Sequence, residues 1–258
     1  MIAVDVGNAR IKLGWFHDGD AATLPQPEQT LRLAGRAVDF TALAAWLGPL
    51  GSAAPMAWYI GSVNRPAATR LIDWLRQRRP QDRLLLLSAG DLPLEVKLAR
   101  PDMVGIDRLL DALAANQLRP AGRPAIVIDV GTAITVDMVS AAGAFLGGAI
   151  LPGIAMSARA LHEFTDLLPL VDVSELAAPP PALGVSTVSA MRAGLFWGTV
   201  GALRQLIDQL ADDAQPQVIL TGGAGLAVAQ LLPPSTQLAP HLTLAGIALA
   251  ARALDGPA

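Results

Sequence analysis

Apolar and polar positions fall into the same pattern twice along this chain. Ile2-Ala3-Val4-Asp5-Val6 is an apolar run broken by one acid, Gly7-Asn8 follows, and Arg10-Ile11-Lys12-Leu13 then alternates. Ile126-Val127-Ile128-Asp129-Val130 leads through Gly131-Thr132 into the alternating Ile134-Thr135-Val136-Asp137. A period of two predicts strands, and Asp-Val-Gly between two of them predicts a hairpin turn. The two acids lie almost half the 258-residue chain apart. A unit repeated at that spacing predicts two similar halves rather than a solenoid, and we set them at residues 1–118 and 119–258.

The remaining pattern fills both halves with strands and helices. Asp39 to Leu47 reads as a capped helix, Trp58-Tyr59-Ile60 as a strand, and Pro66 to Arg79 as a helix closed by Pro80. Leu84 to Leu87 reads as a buried strand, and Val104 to Leu118 as a helix with Leu109, Leu110 and Leu113 at helical spacing. In the second half Phe145 to Leu151 reads as a third strand and Thr187 to Leu210 as a long helix. Val218-Ile219-Leu220 reads as a strand and Thr243 to Leu254 as a closing helix. Strands followed by helices in each half give an α/β fold class. Ala177 to Pro181 reads as a stiff surface loop.

Composition narrows the classes. Hydrophobic residues make up 52% and charged residues 16%, which predicts a large buried core and argues against disorder. The net charge is −3 and no basic stretch alternates with aromatics, so no nucleic-acid partner is expected. Cysteine is absent, which excludes disulfides, thiolate metal sites and a cysteine nucleophile. Met1 to Asp5 reads as a strand without the basic region of a signal peptide. The charge-free stretch from Ala193 to Leu203 is shorter than the roughly 20 residues that span a bilayer. Its Gly194-x-x-x-Gly198 spacing suits close helix packing, and a cytoplasmic protein with no membrane partner is expected. His17, His162 and His241 have no metal-ligand spacing, and Trp15 and Trp197 sit in apolar patterns that predict core packing.

Asp-x-Gly with a small polar residue at a hairpin turn suits nucleotide phosphates. Glycine lets backbone N–H groups approach phosphate oxygens, and the carboxylate can hold a hydrated Mg²⁺. One such turn is ordinary, whereas two in matching strand contexts carry weight. Thr221-Gly222-Gly223 after an apolar strand fits an adenosine-binding loop, and taken alone it fits a plain strand-to-helix turn equally. The Gly-x-x-x-x-Gly-Lys-Ser/Thr pattern of P-loop kinases is absent, as is Gly-x-Gly-x-x-Gly after the first strand.

Two phosphate hairpins and a late Thr-Gly-Gly resemble the superfamily of acetate kinase, sugar kinases, Hsp70 and actin. Further blocks sharpen this to a resemblance with the type III pantothenate kinases over nearly the whole chain. They are Gly105-Ile106-Asp107-Arg108, Gly147-Gly148-Ala149-Ile150-Leu151-Pro152-Gly153 and Gly184-x-x-Thr187, beside Asp5 to Asn8, Asp129 to Ala133 and Thr221 to Gly223. The resemblance implies two actin-like (ribonuclease H-like) halves with mixed sheets and an ATP cleft between them. It implies ATP-dependent phosphorylation of pantothenate to 4′-phosphopantothenate, the first step of coenzyme A synthesis.

It further implies Asp107 as the base that accepts the proton of the pantothenate hydroxyl, with Gly105, Ile106 and Arg108 holding the substrate. Asp5, Val6, Gly7, Asn8, Ala9, Arg10, Ile11 and Lys12 would line the ATP phosphates, with Mg²⁺. Thr132, Gly222 and Gly223 would contact ATP, and Asp129 would bind potassium or ammonium. Thr187 would reach the pantothenate pocket of the other subunit in a homodimer, although it also suits the N-cap of its helix. Three positions depart from the family: Ala9 stands where Thr or Ser is usual, Asp111 where Asn is usual, and Leu98 where a substrate-contacting Tyr is usual. Leu98 leaves open another small-molecule kinase of the superfamily. A non-catalytic accessory protein keeping the fold is the remaining alternative, and retention of Asp5, Asp107, Arg108, Asp129 and Thr132 argues against it.

Overall fold

The computed structural model describes residues 1–17, 23–50, 55–172, 178–211 and 215–256. In chain order the elements of the first part are β1 (Ile2–Val6), β2 (Arg10–Trp15), β3 (Gln29–Ala34), α1 (Phe40–Leu47), β4 (Ala57–Ser62), α2 (Arg65–Arg78), β5 (Arg83–Leu86) and α3 (Ile106–Leu118). There follow β6 (Ala125–Val130), β7 (Ala133–Val139), β8 (Phe145–Pro152), α4 (Ile154–Glu163), α5 (Thr187–Ala211), β9 (Gln217–Thr221), α6 (Gly225–Ala229), β10 (Gln237–Leu238) and α7 (Leu242–Asp255). They form two compact units, Met1–Leu118 with His241–Ala258, and Arg119–Pro240.

The first unit holds a sheet in the order β3-β2-β1-β4-β5. Strands β1, β2 and β3 are antiparallel neighbours, and β4 and β5 run parallel to β1. One face of the sheet presents Val4, Val6, Ile11, Leu13, Trp58 and Ile60 to Leu43 and Leu47 of α1 and Leu71 and Leu75 of α2. Leu71 and Leu75 are fully buried, each contributing roughly 1.5–3 kcal/mol. Asp39 starts α1 by accepting hydrogen bonds from the Thr41 and Ala42 amides, both at 3.0 Å.

Helices α3 and α7 are packed together in this unit. Gly246 makes their close crossing possible, because a Cβ there would stand 2.6 Å from the carbonyl carbon of Leu110. The far end of α7 is tied down by Asp255, which accepts hydrogen bonds from the Tyr59 hydroxyl and from Arg83 Nη2, the latter at 2.6 Å. The division at 119–258 therefore needs correcting at its end. The apolar side of α7, with Leu244, Ile247 and Ala251 buried, lies against α3, β1 and β4.

The second unit repeats the topology, with the order β8-β7-β6-β9-β10 and the same sequence of antiparallel and parallel pairings. Ile126, Ile128, Val130, Val136 and Leu220 face Leu195, Phe196, Val200, Leu203 and Ile207 of α5 and Ile154 and Ala158 of α4. Gly194, Gly198 and Gly201 lie outside that stripe, exposed, and apart from their chain neighbours and their own helix's backbone no atom lies within 4 Å of a Cβ built on any of them. No helix among the described residues is long and apolar enough to cross a membrane. The loop expected at 177–181 is described from residue 178, where the Pro180 carbonyl accepts from Trp197 Nε1 at 3.0 Å; Ala177 lies outside the described residues. His162 binds the Leu168 carbonyl at 2.8 Å and His17 pairs with Glu28 on the surface, as capping and surface residues do.

Candidate functional site

In the first unit the motif residues collect at the carboxyl ends of the parallel strands β1 and β4. The β1–β2 turn is closed by the Gly7 amide donating to the Arg10 carbonyl at 3.0 Å. It leaves Asn8, Ala9 and Arg10 exposed, while Val6 and Ile11 bury their side chains in the core. Only the backbones of Val6 and Ile11 can therefore serve a ligand. Asp5 is buried and pairs with Lys12 Nζ at 3.1 Å, the two facing each other in the β1–β2 register. A carboxylate taken out of water needs such a partner. His241 has its pKa held below the usual imidazole value, first by burial and then by the positive charges of Arg32 and Lys12.

On the other side of Asp5 the register partner is Gly61 of β4. A Cβ on Gly61 would meet Leu110 at 2.8 Å and Ile106 at 3.8 Å, so the start of α3 rests directly on this position. That contact explains why Ile106 is buried while its neighbours Gly105, Asp107 and Arg108 are half-buried. Asp107 lies in the first turn of α3, where the helix dipole favours a carboxylate, and its Oδ1 accepts from the Arg108 amide at 2.9 Å. The phosphate-type turn and the proposed base thus belong to one end of one sheet. Leu98 is 36% exposed, eight positions before Ile106.

In the second unit, Asp129 is the last residue but one of β6 and lies between Thr135 of β7 and Thr221 of β9. The β6–β7 turn is tighter, with the Gly131 amide donating to the Ala133 carbonyl at 3.1 Å and Thr132 exposed at its tip. Gly222 has φ +95° and packs on this strand end: a Cβ there would run into Asp129 Oδ1 and stand 2.6 Å from the Val130 carbonyl carbon. A Cβ on Gly131 would lie 3.5 and 3.6 Å from the two carboxylate oxygens of Asp129. Two glycines thus border one carboxylate. Gly153 completes the group, donating to the Thr132 carbonyl at 3.1 Å where any side chain would collide with the turn.

Thr187 is exposed at the start of α5, and the cap is Ser186, whose Oγ accepts from the Ser189 amide at 3.2 Å. The N-cap role considered for Thr187 thus falls to its neighbour. Sequence reasoning also missed Ser62, Asn64 and Gly61, which shape the first unit's site. Asn64 before Pro66 carries a helix-start signal, but nothing local showed its second contact, described below. Two surface hollows, of about 430 Å³ beside Phe40, Trp74 and Arg78 and about 350 Å³ beside Pro180, Leu183 and Arg192, contain none of the motif residues.

A family model described as type III pantothenate kinase matches residues 1–209. The chain is 37% identical to a type III pantothenate kinase of Gluconobacter oxydans, over 100% of this chain and 94% of that protein. It is 33% identical to one of Caulobacter vibrioides, over 96% and 95%. Among solved structures it is similar to a protein of Sinorhizobium meliloti described as a 2-dehydro-3-deoxygalactonokinase, with a TM-score of 0.57 at 19% identity, over 98% of each chain. MreB5 of Spiroplasma citri, solved with ADP, gives 0.50 at 9% identity over 98% and 96%. At these identities the likeness concerns the fold, and it agrees with two actin-like units built on mixed five-stranded sheets.

Proposed function

The chain belongs to the type III pantothenate kinase family, and from that premise we propose the following layout for its reaction. It transfers the γ-phosphoryl group of ATP to the hydroxyl of pantothenate, the entry to coenzyme A synthesis. Phosphoryl transfer asks the protein mainly for in-line positioning and charge neutralisation, with one carboxylate to orient the nucleophile. Asp107 is that carboxylate. The observation that carries this assignment is the seating of α3 on Gly61, beside Asp5, which brings the carboxylate to the strand end that bears the Gly7–Arg10 turn. Arg108 offers a forked donor to the pantothenate carboxylate, with Gly105 and Ile106 shaping the approach. The backbone from Asp5 to Lys12 takes the phosphates, and Thr132, Gly222 and Gly223 contact ATP.

Among the described residues no cluster of three or more His, Cys, Asp or Glu could hold a metal ion. That suits Mg²⁺, which is commonly held by substrate phosphates and one or two carboxylates. Asp5, buried beside Lys12, is the fitting carboxylate. When bound, Mg²⁺ offsets the charge of the polyphosphate. Asp129 is proposed to hold potassium or ammonium, supported by its place near the end of β6, where the backbones of Gly131 and Gly222 approach its carboxylate closely.

The active unit is proposed to be a cytoplasmic homodimer. Its support is a set of exposed apolar side chains on the second unit, Ile150 at 62%, Phe164 at 84%, Leu183 at 81% and Val185 at 91%, together with the exposed glycine side of α5. Thr187, exposed at the first position of α5, would then reach the other subunit's substrate. One observation favours a second reading, a different alcohol as acceptor: exposed Leu98 offers no hydrogen bond where a Tyr would.

The test is Asp107→Asn. Turnover is expected to fall roughly 10²–10⁴-fold while ATP still binds. Near-normal turnover would remove Asp107 from the reaction.

A further inference from the structure

The turn between β4 and α2, Ser62-Val63-Asn64, touches both halves of the first unit's site. The Val63 amide donates to the Val6 carbonyl at 3.1 Å, prolonging the β1–β4 pairing by one step. The Val63 side chain lies against the start of α3, since a Cβ on Gly105 would stand 3.6 Å from Val63 Cγ1 and 2.6 Å from Asp107 Oδ1. Asn64 then does three things. Its amide donates to Ser62 Oγ at 3.1 Å, its Oδ1 caps α2 by accepting from the Ala67 amide at 3.2 Å, and its Nδ2 donates to the Gly7 carbonyl at 3.4 Å.

The last contact bears on phosphate binding. The Gly7 carbonyl and the Asn8 amide belong to the same peptide plane, so a donor on the carbonyl fixes the direction in which that amide points. The opposite edge of the turn is held as well: the Gly35 amide donates to the Ala9 carbonyl at 2.9 Å, and Arg70 Nη2 of α2 donates to the Gly35 carbonyl at 2.8 Å. Helix α2 thus grips the turn from its N-cap and from its second turn.

We propose that Asn64 is a positioning residue for the phosphate-binding turn, orienting the Gly7–Asn8 peptide toward ATP and holding the β1–β2 turn at a set distance from Asp107. The proposal rests on the reading of Asp5 to Lys12 as the ATP phosphate site. Preorganised backbone donors work because they need not reorient when charge develops. A turn freed from Asn64 still folds, but it samples orientations in which the Asn8 amide misses the phosphate.

The capping role and the positioning role separate by substitution. Asn64→Ser keeps a good N-cap oxygen but is too short to reach Gly7, whereas Asn64→Ala loses both. The Ser variant is expected to melt close to the unmodified protein, with kcat/KM for ATP reduced roughly 3- to 10-fold, the scale of one lost hydrogen bond. Its KM for pantothenate is expected to stay near the original. The Ala variant should show the same kinetic loss plus a lower melting temperature. Asn64→Gln and Asn64→Asp serve as further arms: neither restores a correctly placed donor, so neither should recover the ATP term. Unchanged ATP kinetics in a folded Ser variant would overturn the proposal. Equal losses toward ATP and pantothenate would overturn it too, by showing a general structural role. A failure of the underlying reading looks different: Asn8→Pro, which removes the amide that the reading aims at phosphate, would leave ATP kinetics untouched.

Discussion

Replacing Gly222 by alanine isolates the close approach on which the second unit's site depends. The residue has φ +95°, where a side chain is strained by about 1–3 kcal/mol. The new methyl would also meet the end of β6, standing 2.6 Å from the Val130 carbonyl carbon and crowding Asp129 Oδ1. Overfilling a packed site costs about 1–3 kcal/mol more. The backbone of a central strand yields less than a flexible side chain, so the Thr221–Ala224 turn must lift instead, and with it the Ala224 amide that donates to the Val130 carbonyl at 3.1 Å. The total is about 2–6 kcal/mol. In a chain of this size that corresponds to a melting temperature lower by roughly 4–24 °C. Differential scanning calorimetry measures it, and isothermal titration with an ATP analogue should show weakened binding in the same variant. Gly48→Ala is the control, an exposed position with helical φ and ψ and nothing within 4 Å, where alanine is expected to stabilise by roughly 0.4–1 kcal/mol. A Gly222→Ala protein with unchanged melting and unchanged nucleotide affinity would refute the packing argument.

Two further outcomes follow from other parts of the molecule. Burial, then the hydrogen bond to Asp255 and its charge, raise the Tyr59 pKa to about 12, with Arg83 opposing. Because the folded value lies above the ordinary 10.0, the tyrosine's contribution is complete below pH 10 and is lost as pH rises toward 12, by about 3 kcal/mol at most; denaturant midpoints near pH 9 and near pH 11 should diverge in the native chain and much less in Tyr59→Phe. Gly198→Leu on the open side of α5 should weaken self-association several-fold in sedimentation without lowering the monomer's melting temperature, and an unchanged dimer would move the interface elsewhere.

Much of this architecture is written in short-range pattern. The Asp-Val-Gly hairpins are legible because alternation, an acid and a glycine coincide, and their repetition in two sheets of the same strand order is what the duplicated sequence predicts. Strand β3 escaped because it is a sheet edge whose Gln29, Thr30 and Arg32 face water, leaving only Leu31 and Leu33 as an apolar signal. Helix α4 was missed because its start, after Gly153, has no side-chain cap, and its buried stripe is thin, with only Ile154 and Ala158 buried, Leu161 half-buried beside them and Met156 exposed. Helix α7 was assigned to the wrong unit because sequence order favours neighbours, whereas its Gly246 fits the Leu110 backbone far earlier in the chain. At the site, the glycines and acids were legible by residue type. Asn64 was not, because its hydrogen bond to Gly7 joins residues 57 apart in sequence.

The most direct test of the account is the identity of the phosphorylated product. Purified chain, ATP, Mg²⁺ and pantothenate in potassium and in sodium buffers would be followed by ³¹P NMR, with Asp107→Asn alongside. The account predicts one phosphomonoester on the pantothenate hydroxyl, formed in step with ADP, several-fold faster in potassium, and nearly absent in the Asn variant. ADP formation without that ester, or an ester formed equally fast by Asp107→Asn, would contradict it.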